Sequence, residues 1–187
     1  MTLTESSALL GLPDAVLTGV GFVVAATAAL AVHALGHYYA GRQISGVPAT
    51  AITVGLGRFP QHVALRDDGD WVTAVESRRY RAVYREFDPE LDHFERFVAG
   101  GDIVQAAVVV PVALALAAAG FQTAAGVAVV GSLLATATLV AADAVRTKRG
   151  DGAAGDYSTL WVIEWRVPVL ILLGSLFFHL GVFWAVA

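Results

Sequence analysis

Residues 15–40 read AVLTGVGFVVAATAALAVHALGHYYA, an apolar run without a charged side chain and with two histidines near its end. At 1.5 Å of rise per residue, a helix over this stretch is long enough to cross a hydrocarbon core of about 30 Å. Ordinary soluble domains carry about a quarter charged residues and no apolar run of this length. Here 57% of the 187 residues are hydrophobic and 15% are charged, so lipid is the expected solvent for much of the chain. Further apolar runs over 102–119, 124–145 and 167–187 predict three more spans. The expected fold is an all-α polytopic membrane protein: four transmembrane helices in a single membrane domain, 1–187, with a short region of β-strands between the first two. Alanine and glycine dominate the second and third spans (AAVVVPVALALAAAG, AAGVAVVGSLLATATL), which permits close helix packing.

The connection 41–101 divides into two parts. Residues 47–75 read as short strands, with alternating ATAITVGLGRF followed by HVALRDDGDWVTAV around an Asp-Gly turn. Residues 76–97 (ESRRYRAVYREFDPELDHFERF) interleave charges with Tyr80, Tyr84, Phe87, Phe94 and Phe97. That pattern predicts an amphipathic segment on the membrane surface, broken near Pro89. Eight arginines lie within 41–101, and Arg146, Lys148 and Arg149 follow the third span. The positive-inside rule places both connections on the cytoplasmic side, with both termini outside. The expectation is a multi-pass integral protein of the cell membrane, in contact with the lipid bilayer. The N-terminal residues, with no positive charge ahead of a long apolar run, do not read as a cleaved signal peptide.

Cysteine is absent, which excludes disulfides, cysteine-ligated zinc and a thiol nucleophile. A net charge of -4 gives no reason to expect a nucleic-acid partner. Histidine and carboxylate chemistry stays open. His33 and His37 are four residues apart in the first span, so they project from one helical face, one turn apart. Two imidazoles so placed can hold one metal ion, and an ionisable residue at membrane depth usually faces a cavity or a partner. Two histidines hydrogen-bonded to neighbouring helices, without metal, are the plainer alternative.

The stretch AVHALGHYYAGRQISGVPATAITVGLGRF resembles the signature region of the site-2 protease family, the intramembrane zinc metalloproteases. In that family a transmembrane helix carries H-E-x-G-H, then small residues, an Arg, a Gly-Val and a strand ending in Gly-x-Gly. His33, Leu35, Gly36, His37, Ala40, Arg42, Gly46, Val47, Gly55 and Gly57 stand at matching places. The second span opens AGGDIVQAAVVVPVALAL, similar to the family's A-G-P-x-x-N helix but without its Pro and Asn. The likeness covers roughly residues 25–60 well and 98–160 loosely. It implies a zinc-dependent protease that cleaves transmembrane segments of other membrane proteins. It also implies that the strand through Val54, Gly55 and Gly57 pairs with an extended substrate by β-augmentation.

One departure bears directly on chemistry. The family's general base, the Glu after the first His, is here Ala34. A methyl group cannot take a proton, and general-base catalysis contributes about 100- to 10,000-fold in rate. Metal ligation does not need that Glu. Either Ala34 is an engineered inactivating change, which an otherwise intact site favours, or the chain is a natural pseudoprotease that binds transmembrane helices without cutting them. The family's third zinc ligand is an Asp in an L-D-G motif, which is missing here. Asp143, at the cytoplasmic end of the third span, is the preferred substitute. Asp156, in GDYSTLW, is the alternate, because Glu164 and Arg166 after it suggest an interfacial position. His179 reads as a packing or hydrogen-bonding residue, His62 and His93 as solvated, and Trp161 and Trp165 as an interfacial belt. A small transporter is disfavoured by the absence of paired broken helices or an internal repeat.

Overall fold

The computed structural model describes residues 14–55, 62–149 and 155–186. Helix α1 (Asp14–Gln43) leads into three strands, β1 (Ile52–Gly55), β2 (His62–Asp67) and β3 (Asp70–Thr73). A 3-10 turn, Ala74–Glu76, and helix α2 (Ser77–Tyr84) follow. The remainder is helical: α3 (Phe94–Ala118), α4 (Gln122–Lys148), the short α5 (Asp156–Ile163) and α6 (Arg166–Val186). Four helices among the described residues are long and apolar enough to cross a membrane: Val16–Gln43, Phe94–Ala118, Gln122–Lys148 and Arg166–Ala185.

Glycine sets how closely these helices approach. A Cβ added at Gly36 of α1 would fall on the carbonyl oxygen of Gly100 in α3, and one at Gly131 of α4 would meet Ala25 of α1 at 2.5 Å. In lipid, helices of this kind would gain little hydrophobic energy by pairing, and backbone proximity and internal polar contacts would then hold the bundle. One such contact joins α3, α4 and α6. Gln105 Nε2 donates to Ser132 Oγ (2.9 Å) and Thr136 Oγ1 (3.1 Å). The ring of His179 meets Ser132 Oγ through Nε2 (2.9 Å) and donates through Nδ1 to the Ser175 carbonyl (2.7 Å). His179 is the hydrogen-bonding residue its sequence position implies.

The strands form an antiparallel sheet of order β1-β2-β3. Asp68 and Gly69 take positive φ (46° and 97°) in a two-residue turn between β2 and β3, the backbone an Asp-Gly hairpin needs. Ile52 pairs with Leu65 and Leu65 with Val72, which aligns three buried apolar side chains on one face. Val54 and Gly55 lie in β1, an edge strand of the sheet; Gly57 lies outside the described residues.

Two features of the insert differ from the sequence expectation. The chain breaks between α2 and α3 around Pro89 as expected, but Phe94 and Phe97, beyond the break, already belong to the first turns of α3, eight residues ahead of the expected span start. Nor do the aromatics cover a surface. Tyr80, Tyr84, Phe94 and Phe97 are buried in one core with Ile52, Leu65 and Val72, and Tyr84 lies 4.7 Å from Phe94 and 5.0 Å from Phe97, ring centre to ring centre. Ser45 and Tyr84 share a short hydrogen bond that ties the end of α1 to α2. An apolar helical stripe buries itself on whatever surface is available, and here the sheet and the start of α3 supply it. Asp88 then turns the chain into α3 by accepting from the backbone N–H groups of Asp92 (3.1 Å) and His93 (2.9 Å).

Candidate metal centre

Four-residue spacing on an unbroken helix brings the His33 and His37 rings together. Their planes stand 82° apart with centroids 4.7 Å apart, and their Nε2 atoms are separated by 3.1 Å. Asp156, the first residue of α5, completes a triangle. Its Oδ2 lies 3.0 Å from His33 Nε2 and 3.1 Å from His37 Nε2. Each residue thus offers one donor atom to a common point. Ligands held about 2.0–2.1 Å from a tetrahedral zinc are about 3.3 Å apart, close to the edges seen here.

The surroundings fit a cation at that point. His37 donates from Nδ1 to the Phe97 carbonyl (2.9 Å), which leaves the Nε2 lone pair pointing at the triangle, the usual outer support of a metal-bound imidazole. Gly101 of α3 closes one side: a Cβ added there would lie 2.6 Å from Nε2 of both histidines. Only glycine keeps the donor atoms clear. Burial opposes a charge on Asp156, but His37 and then His33 outweigh it and hold its carboxyl well below the usual carboxylate range.

The two aspartates take roles opposite to their order of preference in the sequence. Asp143 does not turn to the imidazoles. It accepts from the Ser158 backbone N–H (2.6 Å) and hydroxyl (2.6 Å), and from Thr147 Oγ1 (3.2 Å). It therefore caps the first turn of α5 from a neighbouring helix, satisfying a donor that has no partner within α5. Gly155 makes this approach possible, since a Cβ there would lie 2.5 Å from the Asp143 carboxyl carbon. Glu164 and Arg166 stay exposed because α5 ends between them and the site. Their charge marks the far end of a short helix and says nothing of the depth of its first residue.

The donor triangle opens on a cavity of about 120 Å³ between α1, α4, α5 and the insert. His62, Tyr80, Arg81 and Arg146 line it along with the ligand residues. No periodicity or motif marks those four, because the long-range fold of the insert over the bundle brings them in. His62 was expected among solvated side chains and instead borders this cavity. Ala34 is fully buried. Leu30, one turn before it on α1, packs with Ala135 and Leu139 of α4, and Leu139 also borders the cavity.

The separate tasks of the two aspartates yield a first prediction. Asp156→Ala removes a donor atom and should weaken zinc binding at least about 100-fold, whereas Asp143→Ala loosens only the support of α5 and should cost about tenfold. Competition against a chromophoric chelator measures both. A larger loss with Asp143→Ala would transfer the ligand role to it.

No protein-family model, no curated protein and no solved structure matches the chain.

Proposed function

We propose that this chain is an intramembrane zinc metalloprotease of the site-2 type whose general-base position is occupied by Ala34, acting on transmembrane segments of other membrane proteins. The observation that carries the proposal is the convergence of His33 Nε2, His37 Nε2 and Asp156 Oδ2 within 3.0–3.1 Å of one another inside a helix bundle. Two histidines and one carboxylate are a donor set that suits zinc and leaves a coordination position open. Bound zinc supplies Lewis-acid polarisation of a carbonyl and acidifies water at neutral pH.

The chain's own residues divide the remaining work. His33, His37 and Asp156 hold the ion, and Gly101 keeps the space beside them clear. The outer side of β1, at Val54 and Gly55, is unpaired among the described residues and offers main-chain donors and acceptors to an extended substrate. A transmembrane segment must leave its helical form to pair there, because helical N–H and C=O groups are already bonded to each other. Ala34 can neither accept a proton nor return one, so this chain is inactive or nearly so.

A second reading has one observation in its favour. Ala34 is fully buried, as a residue selected for packing would be, and this favours a pseudoprotease that binds transmembrane helices without hydrolysis. Metal analysis of the purified chain, paired with peptidase assays of its Ala34→Glu counterpart, separates the two.

Orientation has its own test. Arginines crowd the insert and the end of α4, so both are proposed to be cytoplasmic and both termini to be outside. Cysteines introduced at Asp68 and Gly152 should resist an impermeant thiol reagent added to intact cells and react after permeabilisation. Labelling of either from outside would reverse the topology.

A further inference from the structure

His33 differs from His37 in one respect: its second ring nitrogen, Nδ1, is buried and has no hydrogen-bond partner. The nearest carboxylate is Asp102 of α3, whose Oδ1 lies 3.8 Å from that nitrogen, too far for a hydrogen bond. Asp102 is itself only 4% exposed, and its Oδ2 also lacks a partner. Its Oδ1 is engaged on the other side, where the Tyr157 hydroxyl donates to it at 2.7 Å. Two buried polar groups of complementary kind thus face each other less than 1 Å beyond hydrogen-bond reach. Buried polar atoms seldom stay unpartnered without a reason.

Tyr157 makes the arrangement more than a local contact, because it directly follows Asp156. The Tyr157–Asp102 hydrogen bond fastens the first turn of α5 to α3, and that first turn carries the third donor atom. Asp102 therefore touches the centre twice, once behind His33 and once through the residue next to Asp156.

We propose that Asp102 is the outer-shell carboxylate of this metal centre: it accepts a hydrogen bond from the Nδ1–H of His33 and, through the Tyr157 hydroxyl, holds Asp156 in place. The proposal rests on the zinc reading above and adds to it a positioning residue outside the ligand set. Small movement of the His33 ring on metal binding closes the gap to Asp102, fixes the tautomer with Nε2 free, and makes the imidazole a stronger donor. Asp102 thus does for His33 what the Phe97 carbonyl does for His37. No motif marks Asp102; in the sequence it is one charge at the edge of an apolar run.

The test measures zinc affinity of the full-length purified chain by chelator competition and records the visible spectrum of its cobalt(II) form. Asp102→Ala removes both contacts and should weaken zinc binding about 10- to 100-fold. Asp102→Asn keeps the shape and an acceptor for Tyr157 while removing the charge behind His33. It should weaken binding less and shift the cobalt bands, which report the donor strength and geometry of the ligands. Tyr157→Phe cuts only the tie to α5 and should weaken binding with a smaller spectral change than Asp102→Asn. If Asp102→Ala does not fold, Asp102→Asn carries the test by itself. A wild-type chain that binds zinc, alongside Asp102 variants of equal affinity and unchanged cobalt spectrum, overturns the role of Asp102 and leaves the centre standing. A wild-type chain that binds no zinc overturns the centre and the role of Asp102 together.

Discussion

Replacing His33 and His37 together by alanine should take the purified chain from close to one zinc per molecule to none. Both imidazoles aim Nε2 at the same point as Asp156 Oδ2, so the double variant leaves one carboxylate oxygen where three donors stood. Structural zinc sites bind with about 10–16 kcal/mol spread over four ligands, so losing two ligands is worth about 5–8 kcal/mol, or four decades or more in affinity. The bundle should survive the change. The close approach of α1 and α3 runs through Gly36 and Gly100 rather than through the imidazoles, and removing ionisable side chains from a membrane span lowers the cost of placing it there. Elemental analysis after size exclusion in detergent gives the stoichiometry, and circular dichroism checks that the helices persist. A folded double variant that keeps its zinc would place the metal elsewhere in the chain.

What the sequence reveals here is what local chemistry decides. The uncharged run 15–40 is long and apolar enough for a span, and it is contained in α1. Asp68-Gly69 can take the positive φ angles of a tight hairpin, and it does. His33 and His37 share a face because a helix repeats every 3.6 residues. Where a residue's task depends on what the fold brings from far along the chain, the local cues mislead. Asp143 reads as a carboxylate near the histidines, and it borders the same cavity, but Ser158 engages it first. Asp156 reads as interfacial from the charges after it, yet a helix of eight residues suffices to separate those charges from the site. Asp102, Tyr80 and Arg81 carry no signal, because their relation to the site exists only once α3 and the insert have packed. Aromatic spacing over 76–97 announces an apolar face without naming its cover, and that cover is the sheet.

Proteolysis should appear in the Ala34→Glu variant, at least about 100-fold above the background of the Ala34 chain, and vanish on chelation. The geometry sets what this substitution must accomplish. Position 34 follows His33 on α1 and is fully buried, so a glutamate there begins in close-packed surroundings. Overpacking of this kind typically costs about 1–3 kcal/mol, and a buried carboxylate adds to that unless it reaches a partner. Relief lies toward the cavity that the donor triangle faces. A carboxylate extended that way would lie on the open side of the donor triangle, where zinc, when bound, would acidify water, and it could take up a proton and return it to the leaving amine. The variant should therefore be less stable than the parent without zinc and recover part of the difference with it. Substrates should carry transmembrane segments broken by glycine or proline, so that helix unwinding does not limit cleavage. Zinc-dependent cleavage of such segments by Ala34→Glu, absent from the parent and lost again with His37→Ala, identifies the centre as a protease lacking only its base. A folded, zinc-loaded Ala34→Glu chain that still binds these segments and leaves them whole makes the centre that of a pseudoprotease, in which Ala34 is a buried packing residue of α1.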